Sequence, residues 1–164
     1  MNDGRWKLDP GTTYIGFRAH APRGRLSGHF QRACGSITWT EEGTGAALLE
    51  IHAPSISTGV GVRDQYLCAP AFLDVRNHPL ISFQGCADCR GPGHLTLAGK
   101  LTLRGVSAEL QLDVGLEPDG TRIIATTSAS IDLATYGISA PLRDAGSIVD
   151  LVVRGHLTPV PPEF

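Results

Sequence analysis

The stretch Leu95-Thr96-Leu97-Ala98-Gly99-Lys100-Leu101-Thr102-Leu103-Arg104-Gly105-Val106-Ser107-Ala108-Glu109-Leu110-Gln111-Leu112-Asp113-Val114-Gly115-Leu116 alternates apolar with polar or small side chains on both sides of Arg104-Gly105. Successive side chains of a strand point to opposite faces, so this rhythm predicts two long strands, each with one face toward a core and one toward water. Arg104-Gly105 fits a two-residue hairpin turn, with Gly105 supplying a positive φ. Gly99 stands in register where a side chain would be expected.

Similar stretches recur outward from this hairpin: residues 13–19 with Ile15 and Phe17 on one face, then 35–40, 48–53, 80–84, 123–131 and 147–157. Pro10-Gly11, Pro22 with Gly24, Glu42-Gly43, Gly91-Pro92-Gly93, Pro118-Asp119-Gly120 and Pro141 supply turn chemistry between them. About eight strands joined mostly by hairpins, without a βαβ rhythm, predict an all-β antiparallel sheet. Such a sheet hides its edges best by closing into a barrel. The run from Val62 to Phe72 lacks alternation. Its Val62, Tyr66 and Leu67 have the spacing of a short helix that Pro70 ends, and a helix there would cap one end of the barrel.

At 164 residues with 41% hydrophobic and 18% charged side chains, residues 1–164 form a single domain, with a core large enough to need neither metal nor disulfide support. Runs such as Ala46 to Leu49 are far too short to cross a bilayer as helices, so integral membrane insertion is not expected. A net charge of −2 gives no overall field for nucleic acid, and none is expected as a partner. The charge is uneven, however. Arg5, Lys7, Arg18, Arg23, Arg25 and Arg32 meet only Asp3 and Asp9 in the first fifth of the chain. The residues after Met1 form no secretory signal, and with Met1 as the true start the expectation is a cytoplasmic protein. Four free thiols follow from that compartment. Cys86-Ala87-Asp88-Cys89 has the spacing of a zinc knuckle or redox dithiol, but no second ligand pair follows it, and neither metal nor cofactor is expected.

An ordered series of short motifs carries a resemblance. It comprises Trp6-Lys7-Leu8-Asp9-Pro10, Phe17, His20, Gly28-His29-Phe30, Gly35-Ser36-Ile37, Ser57-Thr58-Gly59, Val62-Arg63-Asp64-Gln65-Tyr66-Leu67, Phe72-Leu73-Asp74-Val75, His78-Pro79, Ile81-Ser82-Phe83 and Gly99-Lys100-Leu101-Thr102-Leu103-Arg104-Gly105-Val106. In order and spacing, from Trp6 to about Leu157, the chain resembles the YceI-like, polyisoprenoid-binding family. The resemblance implies an eight-stranded antiparallel, lipocalin-like barrel with a short helix capping one end. It also implies an apolar lumen that receives an isoprenoid quinone, a polyprenyl phosphate or a fatty amphiphile, and a binding protein rather than an enzyme. Where the family usually carries an Arg three residues before an aromatic-Gly pair, this chain reads Leu133-Ala134-Thr135-Tyr136-Gly137, so no polar contact is expected from that position.

Within such a lumen, Phe17, Phe30, Phe72, Phe83, Leu101 and Leu110 are expected to grip the tail, with Gly16, Gly99, Ala108, Ala125 and Ala129 leaving room. Each buried methylene contributes about 0.8 kcal/mol, so ten of them outweigh ordering costs and support micromolar binding or better. Residues 20–29 read as a loop or ragged hairpin whose Arg23 and Arg25 could hold a phosphate or carboxylate head. Arg63-Asp64 reads as a structural pair that fixes the lid. A second reading makes the lumen an active site with His20 or His29 as general base. A third is a filled barrel acting as an interaction module, a homodimer through the strand edge near Ser147 to Leu157.

Overall fold

The computed structural model describes residues 4–21, 24–138 and 147–161, and at 20, 21, 24, 25 and 90 the backbone alone. In chain order the strands are β1 (Gly4–Leu8), β2 (Tyr14–Ala21), β3 (Gly24–Phe30), β4 (Ala33–Trp39), β5 (Thr44–His52), β6 (Ile56–Ser57), β7 (Leu80–Gly91), β8 (His94–Leu103), β9 (Val106–Asp119), β10 (Arg122–Asp132) and β11 (Ile148–Val160). A single α-helix among the described residues, α1 (Gly61–Cys68), follows β6. All the strands belong to one antiparallel sheet, which the pairing of β1 with β11 closes into a barrel.

Three of its ribbons are broken. β1 and β2 run end to end along β11, β4 and β3 run along β1 and β2, and β5 continues into β6, so the closed barrel has eight ribbons in sequence order. The first break is an Asp9-Pro10-Gly11 turn in which the Asp9 carboxylate accepts from the Gly11 amide at 2.9 Å, while the Asp9 amide donates to the His156 carbonyl at 2.8 Å. The other two meet at Ser55, a buried polar residue. Its hydroxyl donates to the His52 carbonyl at 2.6 Å and accepts from the Arg32 amide at 3.0 Å, so backbone groups left by the break find partners. With its oxygen committed this way, Ser55 is a structural residue.

Several expectations change in the folded chain. Of the two readings of residues 20–29, the hairpin holds and the loop does not, since β2 to Ala21 pairs with β3, a strand from Gly24 to Phe30. Its alternation was obscured because Gly28 occupies an inward position between Leu26 and Phe30, and the Phe17 ring covers that glycine. β7 continues to Gly91, well past the expected end at Gln84. The hairpin turn at Arg104-Gly105 is as expected, except that Arg104 (φ 53°) shares the left-handed region with Gly105 (φ 75°). Gly16 faces outward beneath the Tyr14 ring, and so makes no room in the lumen. Gly99 faces inward but makes no room either, because it lets β7 and β8 approach: a Cβ there would lie 2.1 Å from the Gln84 carbonyl oxygen. The proposed dimer edge does not exist. β11 is paired on one side with β10 and on the other with β2 and β1, which leaves no exposed ladder for a partner.

One end of the barrel, here the lid end, holds α1, the Arg104-Gly105 turn, the start of β11 and the hairpin joining β2 to β3. α1 lacks a side-chain N-cap. Instead Asp64 reaches back to accept from the Thr58 amide (2.8 Å) and hydroxyl (2.6 Å), while Arg63 Nε donates to the same hydroxyl oxygen at 3.2 Å. The expected structural role of Arg63-Asp64 therefore takes the form of a tether to the preceding loop. Only Leu67 of α1 is buried, at 2% exposure. Val62 (79%) and Tyr66 (50%), expected on the same apolar face, stand in solvent because so short a helix meets the barrel through one side chain.

Candidate functional site

Alternation around the ring turns one apolar row of every ribbon inward, and the lumen holds two cavities. The lid-side chamber, of about 80 Å³, is lined by Phe17, Ala19, Leu26, Phe30, Ile51, Ile56, Leu67, Phe72, Leu73, Ile81, Leu101, Leu103, Ile131, Leu133, Val149 and Leu151, all aliphatic or aromatic. The far chamber, of about 100 Å³, is lined chiefly by Leu8, Ile37, Leu49, Phe83, Leu112, Val114 and Leu157, with Ser36, Thr126 and Thr127 as its polar members. Phe83 belongs only to the far chamber and Leu101 only to the lid-side one, and the two are cross-strand partners. That pair marks where the two linings meet.

Phe17, Phe30, Phe72 and Leu101 line the lid-side chamber, whereas Phe83 lines the far one. Leu110 packs against the core but lines neither, because its partner is Gly99, where β8 crowds β7. Arg23 lies outside the described residues. Arg25 is placed by its backbone, which pairs with His20 at the lid end. Leu67, Leu73 and Leu133 come from the helix and loops that cap the chamber, where no alternation marks an inward face, and their apolar character was the only available signal.

The histidine-base reading loses its geometry at His29. That residue sits on the outward row of β3 and stacks on Tyr14, ring centroids 6.0 Å apart, outside the lumen where the substrate would lie. The side chain of His20 lies outside the described residues. Cys86 and Cys89 both lie on β7, three positions apart, so their side chains leave opposite faces of the sheet. Such residues are about 10 Å apart along an extended strand, beyond the reach of a disulfide or a shared metal. Among the described residues no cluster of His, Cys, Asp or Glu is placed to hold a metal ion.

The YceI-like domain model matches residues 6–155 of the chain. The chain belongs to the YceI-like family. Relatives of this YceI-like chain include a UPF0312 protein of Enterobacter sp. (strain 638), 29% identical over 149 residues, and Protein YceI of Escherichia coli O157:H7, 27% identical over 149 residues; each alignment covers 85% of this chain and 78% of the relative. BcnA of Burkholderia cenocepacia shares its fold with a TM-score of 0.82 at 15% identity, over 92% of this chain and 98% of BcnA. A polyisoprenoid binding domain from Saccharophagus degradans, implicated in plant cell wall breakdown, does so with a TM-score of 0.74 at 15% identity, over 97% and 100% of the two chains.

In this YceI-like barrel the lid is latched by the hairpin that revealed the fold. Arg104 donates from Nη2 to the Pro70 carbonyl at 2.8 Å and from Nη1 to the Gly137 carbonyl at 3.1 Å, tying the loop after α1 to the turn after β10. That turn is a 3₁₀ segment, Leu133–Tyr136, capped by Asp132, which accepts from the Ala134 amide at 3.0 Å, and ended by Gly137 in the left-handed region. Leu133, at the position where the resemblance implies an Arg, is buried against the lid-side chamber. Burial also raises the pKa of two groups nearby. Desolvation pushes the Tyr136 phenol above its ordinary value, and desolvation, then the Asp64 charge, pushes up the Cys68 thiol on α1.

Proposed function

We propose that this YceI-like barrel binds, and stores or transports, a long-chain hydrophobic ligand of the isoprenoid quinone, polyprenyl or fatty amphiphile type. The observation that carries the reading is the lid-side chamber, walled entirely by hydrocarbon and aromatic side chains. A pocket without a polar handle recognises chain length and shape, and gains about 25 cal/mol for each Å² of apolar surface removed from water. The polyisoprenoid-binding relative of the same fold supports this choice of ligand class. With Leu133 where an Arg is usual, contact with a charged head falls to the rim, where the strand bearing Arg25 begins.

A long chain that occupies both chambers passes the Phe83–Leu101 pair, where their linings meet. Native mass spectrometry of protein taken from cells, followed by lipid extraction, is expected to recover a stoichiometric apolar ligand. Titration with fatty chains of increasing length is expected to show affinity rising with length, and rising more steeply in Phe83→Ala, which removes the largest side chain where the two linings meet. Repeated recovery without ligand, and no binding across quinones, polyprenyl phosphates and fatty acids, would overturn the reading. We also place the protein in the cytoplasm, a reading supported by four free cysteines, three of them exposed, and checked by cell fractionation.

A further inference from the structure

Resting on the lumen-binding reading, we infer that the end of the barrel opposite the lid receives the head of the ligand, and that this head is a neutral carbonyl group, hydrogen-bonded by the indole N–H of Trp39. A further cavity, of about 200 Å³, lies at that end. It is lined by Trp39, Cys89, Leu116, Pro118 and Ile123, and by Gly91-Pro92-Gly93 where β7 turns into β8. Leu116 also lines the far chamber, so the two cavities meet at one side chain. A chain lying in the far chamber therefore has this cavity at its terminus.

Trp39 ends β4 and is only 8% exposed. Gly45, its cross-strand partner, makes room for the ring: a Cβ there would lie 2.9 Å from Cε3, so that edge of the indole rests on β5 and Nε1, on the opposite edge, faces away from it. A buried indole N–H ordinarily finds an acceptor. That of Trp39 has none among the described residues, yet no side-chain nitrogen or oxygen sealed from solvent is left without a partner. The N–H is therefore open to the cavity that the ring lines. The rest of the lining decides the chemistry. The Cys89 thiol already donates to the Gly91 carbonyl at 3.4 Å, and the remaining side chains are aliphatic or proline. Among the described residues no charged side chain lines the cavity, so a phosphate or carboxylate there would lose its hydration without gaining a counter-charge. A hydroxyl head would bring a donor that no side-chain oxygen of the lining accepts. One donor and no cation suit a neutral carbonyl oxygen.

The test is equilibrium binding of radiolabelled methyl myristate, myristate and tetradecane to the full chain at neutral pH, where myristate is ionised. The wild type is expected to hold the ester more tightly than the carboxylate. The ratio of ester to alkane affinity is expected to fall about fivefold in Trp39→Phe, which keeps a ring but lacks the N–H donor. A merely structural role for Trp39 would move both probes alike and leave that ratio unchanged. In the wild-type complex, the carbonyl stretch of methyl myristate labelled with carbon-13 is expected at its hydrogen-bonded frequency, a reading that needs no variant. An unchanged ratio, a carbonyl band at its free position, or myristate bound more tightly than its ester would overturn the inference while leaving the lumen-binding reading intact. Failure of all three probes to bind would overturn that reading, and the inference with it.

Discussion

Glycines show how far single residues could be interpreted before the fold was known. Gly16 and Gly99 both stand where a strand side chain is expected, yet a methyl at Gly16 would meet the Tyr14 ring at 2.6 Å, whereas one at Gly99 would meet the Gln84 backbone oxygen at 2.1 Å. A surface ring can swing aside, but a carbonyl held in the β7–β8 ladder cannot. Gly99→Ala is therefore expected to destabilise the protein by several kcal/mol and Gly16→Ala by about 1 kcal/mol, compared by urea midpoints. Equal losses would contradict the close approach of β7 and β8. Phe17 and Phe83 were legible because they sit in period-two rows, whereas Phe30 lies in β3, whose row Gly28 interrupts. Leu110 sits in such a row too, but the crowded β7–β8 crossing beside it decides that no cavity opens there.

At the scale of elements, α1 itself is held by few contacts, Leu67 in the core with Cys68 beside it and the Asp64–Thr58 tether, while Phe72 and Leu73 anchor the loop after it and Arg104 latches that loop. Arg104→Ala removes two charge-assisted hydrogen bonds to carbonyls that belong to different loops. Amide exchange in α1 and in 133–138 is expected to accelerate about tenfold, an opening made easier by about 1.4 kcal/mol, while β8 and β9 stay protected. Faster exchange throughout the barrel would instead make Arg104 a general support of the fold. The existence of α1 was legible from its broken alternation and Pro70. Which of its residues would be buried was not, because an eight-residue helix is oriented by the surface beneath it rather than by its own periodicity.

For the whole molecule, closure leaves β11 satisfied on both sides, and stability resides in a continuous ladder around one apolar interior. Tyr136 and Cys68 link that stability to pH. Each holds its proton more tightly in the folded state than in the unfolded chain, so the stability they contribute is complete below their ordinary values of 10.0 and 9.0 and is lost as pH rises through the folded-state values. Denaturant midpoints are expected to fall between about pH 8 and about pH 11, and to fall less in a Tyr136→Phe, Cys68→Ser variant. An equal fall would assign the alkaline loss to other groups. The sequence by itself determined the all-β class, the ribbon count and the apolar row of the long strands, because side-chain alternation and turn chemistry are local properties of the chain. It missed β3 and β1 as separate segments without losing the count, since each continues a ribbon that was recognised. Only the tertiary structure decided which glycines bend the sheet, that His29 faces out, that the lumen holds two cavities, and that the Trp39 N–H is left open at the end opposite the lid. Those outcomes depend on contacts between residues far apart in sequence, where the register of one ribbon against the next sets what each side chain meets.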